Sequence, residues 1–108
     1  NLDKALIELS NARGILNSKN QNFNFLKEII NLRMANIFIV LEDLESAKNI
    51  LEEPFSTNVV NKLILQGDIL SIENKFFEAK QKYNQALEKT GSESQKKLIN
   101  LKISNLVK

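Results

Sequence analysis

LILQGDILSIENKFFEAKQKYNQALEK, residues 63–89, reads as two helices joined by a tight turn. In the first half Leu63, Gly67 and Leu70 recur at helical spacing. In the second, Phe76, Ala79, Tyr83, Ala86 and Leu87 fall on one face. Asn74 between them tolerates the left-handed conformation that a short helix–helix turn requires. The stretch ends at Thr90 and Gly91, where glycine is expected to take the left-handed C-cap.

Sliding the chain on itself reveals a period of 32 residues: Ala35 maps to Gly67, Phe38 to Leu70, Ala47 to Ala79 and Leu51 to Tyr83. The small residues carry the meaning. Ala35 or Gly67 on the first helix of a pair and Ala47 or Ala79 on the second let two axes approach closely, while large neighbours fill the seam. Ala5, Leu9 and Ala12 repeat the spacing of Ala79, Tyr83 and Ala86, so the first helix is the second half of a repeat.

Outward from this core the pattern predicts six helices and an all-α chain. A helix over about 2–16 carries Leu2, Leu6 and Leu9, and Gly14 with the polar tract Asn17 to Asn24 interrupts it. The next, about Phe23 to Leu41, is apolar on most of its circumference, as a helix sandwiched between neighbours is. A short helix with Leu44, Ala47, Ile50 and Leu51 on one side ends before Pro54, which bars the α region to the residue before it. Any of Ser56, Thr57 or Asn58 is suited to cap the helix Val59 to Ile72 by accepting a free backbone N–H. Ser92 and Gln95 make a capping box for a final helix, 92–107, with Leu98, Ile99, Leu101, Ile103 and Leu106. The expected organisation is one domain over 1–108: a half-repeat 1–16, repeats 23–54 and 57–90, and a C-terminal capping helix 92–108. The Asn-rich connection after the first helix is expected to be the most mobile.

Composition removes most chemistry. The chain has no cysteine and no histidine, so thiolate metal sites, Ser-His-Asp and Cys-His pairs are excluded, and no cofactor is expected. Its 15 basic and 13 acidic residues are interspersed, leaving a formal charge of +2 and no dense basic face for nucleic acid. The apolar run Ile37 to Leu41 is too short to cross a bilayer. A non-enzymatic binding module is the reading left.

Gly67, Leu70, Ala79, Tyr83 and Ala86, with Leu63 ahead of them and Asn74 at the turn, resemble the tetratricopeptide repeat in identity and spacing. That resemblance implies antiparallel helical hairpins in a short right-handed superhelix. More finely, NLRMANIFIVLEDLESAKNIL (31–51), the stretch 63–89 with its QGDIL, and the ending LINLKISNLVK (98–108) look like the periplasmic domain of the YfgM family, ancillary subunits of the bacterial SecYEG translocon. The likeness implies a transmembrane anchor outside this chain and a location on the periplasmic side of the inner membrane. It also implies protein partners: translocon subunits, periplasmic chaperones or secreted polypeptides. No small-molecule substrate follows from it. A generic tetratricopeptide scaffold joining proteins in another compartment is the alternative.

In tetratricopeptide proteins the first helix of each pair lines a groove. The matching positions here are Ile29, Leu32, Asn36, Ile39 and Val40, then Ile64, Asp68, Ser71 and Ile72. This surface suits an apolar segment oriented by Asn36 or Asp68, unless the last helix covers it and makes several of these residues core. Leu32, Ile64 and Leu65 stand where a carboxylate clamp needs polar side chains, which argues against capture of a C-terminal carboxylate. Asp68, alone in an apolar helix, is a functional contact or the partner of a nearby Lys or backbone donor, the second being favoured. The pairs Glu42 with Asp43 and Glu52 with Glu53 read as solvated helix ends, because adjacent helical residues diverge. Lys96, Lys97 and Lys102 read as the wet side of a helix. Phe76 is expected in the seam and Phe77 partly exposed. The apolar face of the half-repeat 2–16 is expected to be exposed or covered by a second copy.

Overall fold

The structure, a computed structural model, describes residues 1–18 and 23–106. Its elements are six α-helices: α1 (Leu2–Ser18), α2 (Asn24–Val40), α3 (Leu44–Leu51), α4 (Val59–Ile72), α5 (Phe76–Lys89) and α6 (Glu93–Ser104). No strand occurs among the described residues. The fold is the all-α array of helical hairpins that the periodicity predicts. α1 runs through Gly14 to Ser18, two residues beyond its expected end. Most of the Asn-rich connection expected to be mobile, residues 19–22, lies outside the described residues, as do positions 107 and 108.

The chain forms two compact units, Asn1–Asn58 and Val59–Lys108. In the first, α1 packs on α2 and α2 on α3; in the second, α4 packs on α5 and α5 on α6.

The 32-residue period is visible in the backbone as well as in the side chains. Glu42 and Asn74, one period apart, both have φ of 64°. After α2, Glu42 N–H donates to the Ile39 carbonyl (3.0 Å) and Asp43 N–H to that of Phe38 (2.8 Å). After α4, Asn74 N–H donates to Ser71 (3.0 Å) and Lys75 N–H to Leu70 (2.9 Å). Each pair is a Schellman closure, which satisfies carbonyls that the helix end leaves unpaired. The residues that start the second helices are also alike, with φ and ψ of −92° and 73° at Asp43 and −94° and 68° at Lys75. Only the first has a side-chain cap: Asp43 Oδ1 accepts from Ser46 N–H at 3.2 Å.

Small residues sit where close approach demands them. Ala35, Ala47, Ala79 and Ala86 are fully buried, as are Leu51 and Ile99. Burying a side chain the size of Leu51 is worth about 1.5–3 kcal/mol over leaving it in water. In the second unit Leu63, Ile64, Ala79, Tyr83, Ala86 and Ile99 form one cluster, flanked by half-buried Leu70 and Ile103. α3, eight residues long, is shorter than the 14-residue α5 that matches it, as Pro54 dictates.

Two capping expectations change. Gly91 does not take a left-handed φ. The chain leaves α5 through an extended Thr90, whose hydroxyl donates to Gln95 Oε1 (2.6 Å) and accepts from Ser92 N–H (3.1 Å). The Thr90 backbone N–H closes α5 on the Ala86 carbonyl (3.0 Å), with no left-handed residue after it. Ser92 accepts from Gln95 N–H at 3.2 Å, but the Gln95 side chain does not close the box: its amide donates to Asn61 Oδ1 (3.0 Å).

Candidate functional site

The sequence-predicted groove residues do not share one fate. In the first unit Leu32 is buried, Ile29 and Ile39 are half-buried, and Asn36 and Val40 are exposed. In the second, Ile64 is core beside Ile99 of α6, Ser71 is half-buried and Ile72 exposed. α6 therefore takes up part of the face that α4 was expected to offer. The open surface is in the first unit.

That surface is a groove along the α1–α2 seam. One end, a cavity of about 460 Å³, is lined by Ala5, Glu8, Leu9, Arg33, Asn36 and Ile37. The other, of about 540 Å³, is lined by Ala12, Ile15, Leu16, Leu26, Ile29, Ile30 and Arg33. Arg33 is common to both. Steps of three and four residues along each helix keep these positions on one flank, so the two cavities form one trough. Its floor is apolar, and Glu8, Arg33 and Asn36 supply polar contacts. Such a lining suits an amphipathic polypeptide segment more than a small polar substrate.

Asp68 is engaged within the protein. Its carboxylate accepts from the Tyr83 hydroxyl at 2.5 Å and from Lys102 Nζ at 3.0 and 3.2 Å. Burial, with the Asp68 carboxylate as hydrogen-bond partner and neighbouring charge, pushes the Tyr83 phenol well above its ordinary value. Lys102 is accordingly an ion-pair partner inside this knot and not simply the wet side of α6. Lys96 pairs loosely with Glu93 at 3.4 Å.

A second polar knot lies in the first unit. The Glu28 side chain, 3% exposed, accepts from the backbone N–H groups of Ser56 (2.9 Å), Thr57 (3.1 Å) and Asn58 (3.0 Å). Both hydroxyls, at 2.9 and 3.0 Å, and the Asn58 amide, at 3.3 Å, donate to it as well. Burial raises the Glu28 pKa, but these donors outweigh it and hold the carboxyl down at about 2. Ser56, Thr57 and Asn58, expected to accept from the next helix, instead direct their hydrogens at Glu28. Nearby, Arg13 donates to Glu53 Oε2 at 2.6 Å, and buried Asn31 donates to Glu53 Oε1 at 3.5 Å. Glu53 is thus paired rather than merely solvated, whereas Glu42 and Glu52 are exposed. No group of three or more acidic side chains able to hold a metal ion occurs among the described residues.

With this geometry in hand, comparison with known families is decisive: a model described as a tetratricopeptide repeat-like domain matches residues 2–108. The chain belongs to the tetratricopeptide repeat-like family. Comparisons with curated proteins and with solved structures gave no match.

Membership places the small–large pairs in context. In this tetratricopeptide repeat-like chain Asn31 stands one period before Leu63, so a buried amide replaces a buried leucine in the first repeat. Sequence reasoning passed over Glu28, Asn31 and Arg13. The available signal was Glu28 and Asn31 at i and i+3 in a helix otherwise apolar nearly all round, where a polar pair must find partners or pay desolvation. No described helix is long and apolar enough to cross a membrane.

Proposed function

We propose that this chain acts by holding other polypeptides, without catalysis, and that it is the periplasmic part of a membrane-anchored, translocon-associated subunit of the YfgM kind. In that role it helps hand over or chaperone secreted proteins. Tetratricopeptide repeat-like domains point to protein partners in general, and residues 2–108 form one. The observation that carries the binding role is the open trough on α1 and α2, apolar at its floor with Asn36 exposed at its side. The finer reading is supported by the likeness of 31–51, 63–89 and 98–108 to that family. The absence of cysteine and histidine favours binding over chemistry.

The test is photo-crosslinking in cells from a reactive residue at Asn36 in the full-length protein, with adducts identified by mass. Adducts with secreted polypeptides, periplasmic chaperones or translocon subunits are expected. Adducts confined to proteins of another compartment would overturn the translocon reading and leave the generic scaffold. No adduct from Asn36 or from the apolar end at Leu26 would remove the trough as a binding site.

A further inference from the structure

The polar knot on Glu28 borders a further cavity. Its volume, about 400 Å³, lies at the lower end of the roughly 300–1,000 Å³ that small-molecule sites occupy. Three stretches of the first unit close on it: Asn17 in the last turn of α1, Lys27, Glu28 and Asn31 in the first half of α2, and the link after α3 with Glu53 and Phe55. At 3.6 residues per turn, Lys27, Glu28 and Asn31 share the side of α2 opposite Leu26, Ile29 and Arg33. The cavity is therefore separate from the trough.

Where the trough is apolar, this cavity is polar and carries both signs of charge. Asn31 is 4% exposed, and its amide reaches Glu53 Oε1 only at 3.5 Å, a long contact. Its Oδ1 is buried with no hydrogen-bond partner among the described residues. A buried acceptor in that state lacks a donor. Arg13 holds Glu53 Oε2, which leaves Oε1 with the long contact. Glu28 is already filled by Ser56, Thr57 and Asn58, so it contributes negative charge but no free acceptor. Lys27 is half-buried in the wall, and no ion pair or side-chain hydrogen bond joins it to another described residue. Packing does not demand these polar groups. One period later, Val59, Val60 and Leu63 stand in place of Lys27, Glu28 and Asn31 and belong to the core of the second unit.

We propose that this cavity is a binding site for a free α-amino acid. The ammonium enters between Asn31 and Glu53, replacing their long contact and giving Asn31 Oδ1 and Glu53 Oε1 the donor that each lacks. The carboxylate meets Lys27, and the side chain lies against Pro54 and half-buried Phe55. Three unlike contacts in one cavity discriminate. An amine without the carboxylate leaves Lys27 unmatched, and a carboxylate without the ammonium faces the like charges of Glu28 and Glu53.

Nuclear magnetic resonance of the nitrogen-15-labelled protein tests this, titrated in turn with the common L-amino acids and then with the N-acetyl and carboxamide derivatives of any that binds. At least one amino acid is expected to shift the Lys27 and Phe55 backbone amides and the Asn31 side-chain amide saturably. Blocking either end group should weaken binding by about tenfold or more, as loss of a charge-assisted contact does. Lys27→Met and Asn31→Leu should each weaken it by a similar factor, with circular dichroism confirming helix content. Should Asn31→Leu lose its helices, Lys27→Met and the blocked derivatives decide. Saturation by none of the amino acids, shifts confined to the trough around Asn36, or binding indifferent to Lys27→Met and to both blocked ends would overturn the proposal. Failure here leaves the crosslinking test standing, because Asn36 lines the trough and not this cavity.

Discussion

Gly67 has no room for a Cβ: one placed there would lie 2.5 Å from Cε1, 2.8 Å from Cδ1 and 2.9 Å from Cζ of Tyr83. Tyr83 is itself 2% exposed and anchored through its hydroxyl to Asp68, so the ring has little freedom to withdraw. In an unconstrained helix interior, Gly→Ala gains about 1 kcal/mol from propensity. Here Gly67→Ala is expected to lose about 1–3 kcal/mol through overpacking, reversing the usual sign. Urea unfolding measures it, and a stabilised Gly67→Ala would show that the seam is looser than described. Ala79→Leu, at a fully buried position, is expected to cost at least as much. The first repeat solves the same problem with Ala35 and Leu51. Gly67→Ala combined with Tyr83→Leu should therefore cost less than the two changes summed.

Glu28 sets the acid limit of stability in the first unit. Its folded-state pKa of about 2 lies below the ordinary 4.5, so its contribution is complete above pH 4.5 and is lost as pH falls from there towards 2. Glu28→Ala leaves three backbone N–H groups without their acceptor and is expected to cost about 2–4 kcal/mol near neutral pH. Urea midpoints taken from pH 7 down to 2 should fall for the original protein through that window and stay flatter for Glu28→Gln. Parallel curves would show that the carboxylate is not the group responsible.

Tyr83 supplies the opposite limb. It is the only tyrosine and there is no tryptophan, so its ultraviolet titration is free of overlap. Its folded-state pKa is raised, so the stability it confers is fully present below about pH 10 and lost as pH rises past that value. Phenolate absorbance is expected only as helical signal disappears. A phenolate titrating near pH 10 in a fully helical protein would contradict the burial and the Asp68 bond. Asp68→Ala, which leaves the hydroxyl and Lys102 without their acceptor, is expected to cost about 1–3 kcal/mol.

Glu42 holds a left-handed backbone with a side chain ill suited to it. Replacing it with glycine removes a steric cost of about 1–2 kcal/mol, offset in part by the greater freedom glycine has in the unfolded chain. Glu42→Gly should raise the thermal midpoint, and Asn74→Gly should raise it less, because asparagine already tolerates that region. Glu42→Val is expected to lower it. Equal midpoints for all three would mean that the turn after α2 relaxes without cost.

The hairpins were legible because their code is local. Ala35, Ala47, Gly67 and Ala79 recur in step within single helices, and a 3.6-residue period with a 32-residue repeat survives without any knowledge of neighbours. Asn74 was readable for the same reason. What could not be read depends on partners distant in sequence. Glu28 meets residues 28 to 30 positions away, and Asp68 meets Lys102 34 positions away. Gly91 misled because the chain turns extended at Thr90, whose hydroxyl ties the link to Ser92 and Gln95 at the start of α6, an alternative that propensity alone does not separate from a glycine cap. The groove was half legible. Helix register identified Asn36 and Ile29, but only packing shows that α6 takes Ile64 into the core.

The central claim is that small residues recurring every 32 positions let paired helices nest, and nuclear magnetic resonance tests it at one contact. One α-hydrogen of Gly67 occupies the direction of its missing Cβ and so points at the Tyr83 ring. A strong cross-relaxation peak between that hydrogen and the ring, with the hydrogen shifted by the ring current, is the result predicted. A Gly67 signal at its ordinary position with no peak to Tyr83 would contradict the account.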